Sequence, residues 1–549
     1  MWSSESIRVM WSAESIRVMW SSESIRVMWS SESIRVMWSS ESIRVMWSSE
    51  SIRVMWSSES IRVMWSSESI RVMWSSESIR VMWSSESIRV MWSSESIRVM
   101  WSSESIRVMW SSESIRVMWS SESIRVMWSS ESIRVMWSLP FHRQHILHFL
   151  HLTLAGPNSI RVMCSTSRRG TSSLVEFGVT SGQYTNKAKG KSSSYTFLTY
   201  SSDQLHSAVL SNLQPKTTYY YRIAGKGPER SFVTPLTDAA ADVSIAVVGD
   251  IGLSKAARTT ISRLAQQPHS LTLVPGDLSY ANGVQSVWDR WQSLIEPDAS
   301  THPWMVVPGN HEAEALSAIS PKDFEWPAFL KRSALLNSGA FLAYKKRWEM
   351  PSAASGSPSK LYYSFEVAGA HIIVLSCYSP FGPDSEQRKW LKSDLSAVDR
   401  SRTPWLIASL HEPWYHSNSD HQTDGQAMRK ALEQTLYAAR VDMLITGHVH
   451  AYERTTRVYN GQEDPCGIMH ITVGSGGKDL YPSFVSPKPA WSAFREAAFG
   501  FALFKIDGSA AGEADWEWHK NDDSPAVAAD SARLVSLSSA SAPAECRPA

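Results

Sequence analysis

The chain has 549 residues, enough for several domains, and a formal charge of +1, which gives no reason to expect nucleic acid or an anionic membrane surface as a partner. It lacks any run of about 18 apolar residues, so no transmembrane helix is expected. Its four cysteines (Cys164, Cys377, Cys466, Cys546) form no C-x-x-C pair, which argues against a zinc ribbon or a thioredoxin-type site.

From Met1 to Val135 the nonapeptide Met-Trp-Ser-Ser-Glu-Ser-Ile-Arg-Val recurs fifteen times with one change, Ala13 for Ser, and a truncated copy, Met136-Trp137-Ser138, closes the run. It holds 16 of the 27 Trp, so the rest of the chain is an ordinary globular composition. Nine residues are about two and a half helical turns, and a helix would flip its apolar cluster to the opposite side with each copy. Ile-x-Val-x-Trp alternates with period two, so a short strand per copy is the local expectation. The Ser-Glu-Ser break has no Gly, Asn or Pro to turn a stacked coil. Ser159-Ile160-Arg161-Val162-Met163-Cys164-Ser165 matches the unit with Cys in place of Trp, so the repeat reads as one strand of the next domain copied many times. A strand without its sheet has nothing to pack against, and residues 1–138 are expected to be a disordered, low-complexity segment.

Ile146 to Leu152 is apolar but interrupted by histidines, like the remnant of a targeting segment, and no signal peptide is legible at Met1. Across 139–235 short alternating strands with turns between them (Ser159–Cys164, Ser173–Phe177, Ser193–Tyr200, His206–Leu210, Thr218–Ala224) predict an all-β sandwich. Across 240–525 strands alternate with helices. Strands are expected at Val243–Val248, Leu271–Val274, Trp304–Val307, His371–Leu375, Trp405–Ser409, Val441–Ile445 and Ile468–Val473. Helices are expected at Ser254–Gln267, Gln285–Ile295, Asp384–Val398 and Gly425–Ala439. This is an α/β pattern, with ligands expected at strand ends. Residues 526–549 are read as a tail.

Five motifs follow apolar strands in this domain: Gly249-Asp250-Ile251-Gly252, Gly276-Asp277-x-x-Tyr280, Gly309-Asn310-His311-Glu312, His411, and Gly447-His448-Val449-His450. Each puts an oxygen or nitrogen donor where a strand gives way to a loop. Glycine before four of them lets the backbone turn without a Cβ clash. Singly each is an ordinary loop residue. Jointly they supply two Asp, one Tyr, one Asn and three His, enough for two adjacent metal ions sharing Asp277.

On these residues the chain resembles the metallophosphoesterase superfamily, and within it the plant-type purple acid phosphatases, over about residues 150–525. Tyr280 discriminates, because ordinary calcineurin-like enzymes carry Asp-x-His at the first motif and this chain has Gly252 at that position. The resemblance implies an αββα metallophosphoesterase sandwich. Leu213-x-Pro215-x-Thr217-x-Tyr219-x-Tyr221 resembles the tyrosine-corner strand of a fibronectin type III domain, implying such a domain in front. It further implies Fe(III) on Asp250, Tyr280 and His450, a divalent ion (Zn, Mn or Fe) on Asn310, His411 and His448, and Asp277 between them. His311 and His421 match substrate-side histidines that bind phosphate together with Asn310 and protonate the leaving alkoxide. The implied reaction is hydrolysis of small phosphate monoesters by hydroxide held at two cations about 3.5–4 Å apart, without a Ser or Cys nucleophile. Phosphodiester or nucleotide pyrophosphate hydrolysis on the same centre, and a repeat-driven assembly protein carrying the phosphatase as passenger, are the alternatives. Members of the family are secreted. Two positions depart from its pattern: Ala408 replaces a Val before His411, and Asp420 stands where some members have a second substrate-side histidine. Cys466 and Cys546 can pair within one chain or between two.

Overall fold

The computed structural model describes residues 2–548 except 13–14, 31–32, 49–50, 138–146, 168–171, 198–199, 224–225, 235–241, 314–340, 509–511 and 523–526. The domain boundaries expected near 138, 235 and 525 lie outside those residues. The chain forms two compact units, Met1–Gln144 and His145–Ala549.

In the first unit Trp2–Ser12, Ser15–Ser30, Ser33–Ser48 and Ser51–Trp137 form one parallel sheet in that order. Trp2 lies beside Trp20, Ile16 beside Ile34 and Arg35 beside Arg53, so the pairing is offset by two nonapeptides and identical positions ladder along the sheet. This differs from the disorder expected of residues 1–138. One copy alone has no sheet to join, but a tandem repeat supplies an identical strand in register, and its backbone groups then pair with those of its neighbour.

The second unit begins with two four-stranded sheets. One runs Leu147–Gly156, Ser159–Thr166, Gln204–Leu210, Lys191–Ser193, and the other Lys226–Val233, Thr218–Ile223, Leu174–Gly178, Asn186–Lys189. Val162, Cys164, Phe177, Tyr219, Tyr221 and Phe232 are buried in the core, with Cys164 filling the position that Trp holds in the repeat. The segment read as a targeting remnant is a strand of this sandwich. Its second histidine is a packing residue, since the His151 ring lies 4.3 Å from that of Trp348 and its Nε2 is 3.1 Å from the Arg347 carbonyl. The single strand expected at Ser193–Tyr200 is instead a small hairpin, Thr196–Phe197 with Tyr200–Ser201. Among the described residues no helix is long and apolar enough to cross a membrane.

Behind the sandwich stand two larger sheets. The first has the order Trp304–Val306, Leu271–Val274, Val243–Val247, Gly500–Ile506, Glu513–Lys520, Asp530–Val535. The second runs Tyr363–Val367, Ala370–Val374, Trp405–Ser409, Met443–Thr446, Ile468–Val473, Tyr452–Tyr459, Gln462–Glu463, with Ser492–Glu496 also on Tyr452–Tyr459. The strands that carry the motifs pair in parallel within each sheet, and Gly500–Ile506 and Glu513–Lys520 continue the first sheet antiparallel. Rings meet between the sheets: Trp405 lies edge-on to Phe504 at 5.1 Å, and Tyr452 stacks on Trp518 at 4.3 Å. The helix Ser286–Ala299 buries Trp288, Trp291 and Ile295, and Trp291 packs on Trp304 at 6.2 Å. Lys255–Leu264 is capped by the Ser254 hydroxyl, which accepts from the Ala257 N–H. Residues beyond 525, read as a tail, close the first sheet with Asp530–Val535, and Cys546 is bonded to Cys466 of the same chain.

The sandwich is tied to the larger domain by buried polar contacts. The Arg347 guanidinium, 1% exposed, donates to the hydroxyls of Tyr195 and Tyr200 at 2.8 Å and pairs with Asp289 at 2.8 Å. Such a buried charge is tolerated because each face of the fork finds an acceptor.

Candidate metal centre

Parallel strands release their following loops at one edge, and every motif expected to carry chemistry emerges there. Asp250 follows Val243–Val247, Asp277 follows Leu271–Val274, Asn310 follows Trp304–Val306, His411 follows Trp405–Ser409, and His448 follows Met443–Thr446. Four of the side chains sit on left-handed backbone: Asp250 at φ 57°, Asp277 at 52°, Tyr280 at 54° and His448 at 65°. Such conformations cost about 1–3 kcal/mol each and persist where the surroundings hold them. Two glycines make the approach possible, since a Cβ on Gly309 would collide with the Asp277 carboxylate and one on Gly447 with that of Asp250.

The seven expected donors converge in two groups. In one, the Tyr280 hydroxyl is 3.1 Å from Asp250 Oδ1 and 2.8 Å from His450 Nε2, which is itself 3.4 Å from Asp250 Oδ1. In the other, Asn310 Oδ1 is 3.1 Å from both His411 Nε2 and His448 Nδ1, and those two nitrogens are 3.2 Å apart. Asp277 joins the second group through Oδ2, 3.3 Å from His411 Nε2, while its Oδ1 accepts from the His311 N–H at 2.9 Å. All but Tyr280 and Asn310 are buried.

Hydrogen bonds made by the far side of each ring decide which nitrogen is bare. His411 Nδ1 is 2.8 Å from the Pro275 carbonyl and must donate to it, leaving Nε2 a lone pair. His448 Nε2 donates to Asp424 Oδ2 at 2.9 Å, leaving Nδ1 a lone pair. With both rings neutral, those two lone pairs, the Asn310 carbonyl oxygen and an Asp277 oxygen face one another, an arrangement that fits a cation between them. The charges agree. Burial works against His411, yet Asp277 pushes it up to about 10, while burial and the neighbouring His411 push His448 down to about 3. The pocket therefore attracts one positive charge, a proton on His411 Nε2 that a metal ion would displace. Burial, then Asp250 and Asp277, drive the Tyr280 hydroxyl well above its usual range, so a phenolate there requires a cation beside it.

The expected substrate-side histidines border the same site. The His311 ring lies 4.3 Å from that of Tyr280, with Nδ1 on Asn282 Oδ1 at 2.5 Å and Nε2 3.8 Å from Asp277. His421 is 4.4 Å ring to ring from His448, and Asp424 Oδ2 accepts from its Nδ1 at 2.7 Å. Asp420 donates its backbone N–H to Asn418 Oδ1 at 3.0 Å.

Three residues at the site were not singled out by sequence. Asp424 links His448 to His421, and its only signal is its place three residues after His421. Tyr481 stacks on His450 at 4.4 Å with an interplanar angle of 10°. Glu312, quoted above only as part of its motif, is fully buried and accepts from the N–H groups of Asp277, Leu278 and Gly309 at 3.0, 2.9 and 2.8 Å, pinning two ligand loops together.

Known proteins resemble this chain in sequence and in fold. Residues 147–234 match the family described as Purple acid Phosphatase, N-terminal domain, residues 243–452 match Calcineurin-like phosphoesterase, and residues 467–530 match Iron/zinc purple acid phosphatase-like protein C. Purple acid phosphatase 18 of Arabidopsis thaliana is 43% identical over 390 residues, covering 71% of this chain and 84% of the relative. Purple acid phosphatase 22 of the same plant is 43% identical over 395 residues, covering 71% and 86%. The solved structure of purple acid phosphatase PPD1 from yellow lupin seeds superimposes with a TM-score of 0.62 at 21% identity, covering 74% of this chain and 76% of that one, which is a likeness of fold.

Proposed function

We infer the chemistry of this site from one premise: the chain belongs to the purple acid phosphatases, and it is a phosphatase of the metallophosphoesterase fold with a two-metal site. In the finer reading, Asp250, Tyr280 and His450 hold Fe(III), Asn310, His411 and His448 hold Zn, Mn or Fe as a divalent ion, and Asp277 lies between. The observation that carries it is the set of lone pairs on Asn310, His411 and His448 facing one another, with the Tyr280 hydroxyl against Asp250 and His450. When bound, the two cations supply Lewis acidity that activates water for attack and neutralises charge on the phosphoryl group.

The protein's own side chains supply the rest. Asn310, His311 and His421 bind the phosphate of a monoester. Asp424 accepts the His421 Nδ1 proton, which turns Nε2 outward as the atom able to hand a proton to the leaving alkoxide. Asp424 also fixes the His448 ring, and the Pro275 carbonyl fixes that of His411, so neither reorients when substrate arrives. A secreted location is supported by the Cys466–Cys546 disulfide, a bond kept in oxidising compartments. A fibronectin type III-like front domain is supported by the Gln214 N–H donating to the Tyr219 hydroxyl at 3.1 Å, the loop tie of a tyrosine corner.

The test is metal analysis with a visible spectrum of the purified enzyme and of Tyr280→Phe. The wild type is expected to carry one iron and a second metal at the catalytic pair and to be purple, and the variant to lose the colour, which needs the phenolate. A colourless wild type with two metals refutes the ferric assignment. Rates on p-nitrophenyl phosphate and on its bis ester are expected to favour the monoester. The reverse preference refutes the substrate reading.

A further inference from the structure

Away from the catalytic centre, the described residues bring His269, Asp298 and His302 together, with ligand atoms all within 4.8 Å of one another. His269 precedes the strand Leu271–Val274, Asp298 is in the last turn of the helix Ser286–Ala299, and His302 is in the loop that enters Trp304–Val306. Asp298 Oδ2 is taken by the Trp304 indole N–H at 2.8 Å, which leaves Oδ1 facing both imidazoles. Oδ1 is 3.0 Å from His302 Nδ1 and 3.4 Å from His269 Nε2.

His269 makes the cluster more than a chance grouping. Its side chain is 0% exposed, its Nδ1 lies 2.8 Å from the Gln267 carbonyl and donates to it, and its Nε2 has no hydrogen-bond partner although it points at a carboxylate. A neutral His269 therefore turns a bare lone pair toward an anionic oxygen inside the protein, an unfavourable arrangement unless positive charge lies between them. Burial opposes ionisation of Asp298, yet the two histidines outweigh it and hold its carboxyl well below the usual range. Bonds of about 2.0–2.1 Å in a tetrahedral site put neighbouring ligand atoms about 3.3 Å apart, and the two separations here fall on either side of that value.

We propose that His269, Asp298 and His302 bind a divalent transition metal, Zn2+ by its preference for imidazole with a carboxylate, at a third site separate from the catalytic pair. His302, 31% exposed, gives the ion its way in and leaves a position for water. The loop so clamped carries the seat of the β-sandwich, because the Tyr221 hydroxyl donates to the Ser300 carbonyl at 2.7 Å and Leu152 bridges to Pro303. The ion is thus a staple between the end of a helix and two strand entries, and it holds the surface on which the front domain rests.

The experiment compares full-length wild type with His302→Ala, each saturated with Zn2+ by dialysis and then passed into metal-free buffer. Total metal per chain is measured by mass spectrometry, and unfolding is followed with and without added Zn2+. The wild type is expected to hold one metal equivalent more than the variant, and Zn2+ to raise its Tm by more than it raises that of the variant. Equal metal content overturns the proposal and leaves a protonated His269 paired with Asp298. A loss greater than one equivalent overturns it as well, since the catalytic ions would then be involved. His302→Gln, polar at the same partly exposed position, gives the same comparison if the alanine variant is not recovered.

Discussion

Replacing Glu312 by Gln removes one charge from beneath the metal centre and leaves the side-chain volume almost unchanged. Glu312 Oε2 accepts from the Asp277 and Gly309 N–H groups, and Oε1 from that of Leu278. An amide keeps one acceptor oxygen. If it stays with Asp277 and Gly309, the amide NH2 meets the Leu278 N–H, and a charge-assisted bond worth about 1.5–3 kcal/mol becomes a contact between two donors. The two remaining bonds lose the charge that roughly doubles such interactions, which costs about 1–2 kcal/mol more. The total is about 2.5–5 kcal/mol. At about 2 °C per kcal/mol for a large domain, the Tm falls by about 5–10 °C. Asp277 and Asn310 sit on the two loops that Glu312 joins, and a displacement of about 1 Å at such groups lowers turnover by about 100-fold. Calorimetry of the metal-loaded enzyme and kcat on p-nitrophenyl phosphate measure the two effects. Burial and the Asp277 charge push the Glu312 carboxyl up to about 8, but both its oxygens accept from N–H groups, which favours the ionised form. A variant that melts within about 2 °C of wild type and turns over normally would refute the role of Glu312 as a carboxylate clamp.

Asp424→Asn removes the acceptor shared by His421 and His448, and is expected to weaken metal affinity or lower activity by about 10–100-fold, checked by titration with a competing chelator alongside kcat. His371 is predicted to make stability depend on pH. Burial opposes its charge, but Asp394 at 2.9 Å and Glu366 at 3.6 Å raise it from 6.5 to about 9. Its folded pKa lies above its unfolded one, so its contribution is fully present below pH 6.5 and is lost as pH rises through about 9. The difference is worth about 3 kcal/mol. Denaturant titrations of wild type and His371→Gln are expected to differ by about that much at pH 6 and to converge near pH 10, whereas a gap that does not change with pH would exclude the ion pair as its source.

How far these conclusions were legible in the amino-acid order depends on the range of the interaction concerned. The strands Leu271–Val274, Trp405–Ser409 and Ile468–Val473 were readable to the residue, because alternation, apolar runs and the glycines that follow them are local signals. The same grammar marked Asp250, Asp277, Asn310, His411 and His448, each a donor placed just after a strand. Other assignments turned on partners far along the chain. Ile146 to Leu152 reads as a targeting remnant until Leu147–Gly156 pairs with Ser159–Thr166, and Asp530–Val535 reads as tail until Glu513–Lys520 pairs with it. Asp424 looks like a loop carboxylate until His448, 24 residues on, turns its Nε2 toward it. Cysteine spacing left Cys466 free to bond within or between chains, and only the fold brings Cys546 beside it. Sequence alone thus determined which donor side chains stand at which strand ends. The tertiary structure decided which nitrogen of each histidine is bare, which carboxylate lies beneath which loop, and which strands share a sheet, because hydrogen-bond direction and burial are properties of neighbours in space that no local pattern encodes.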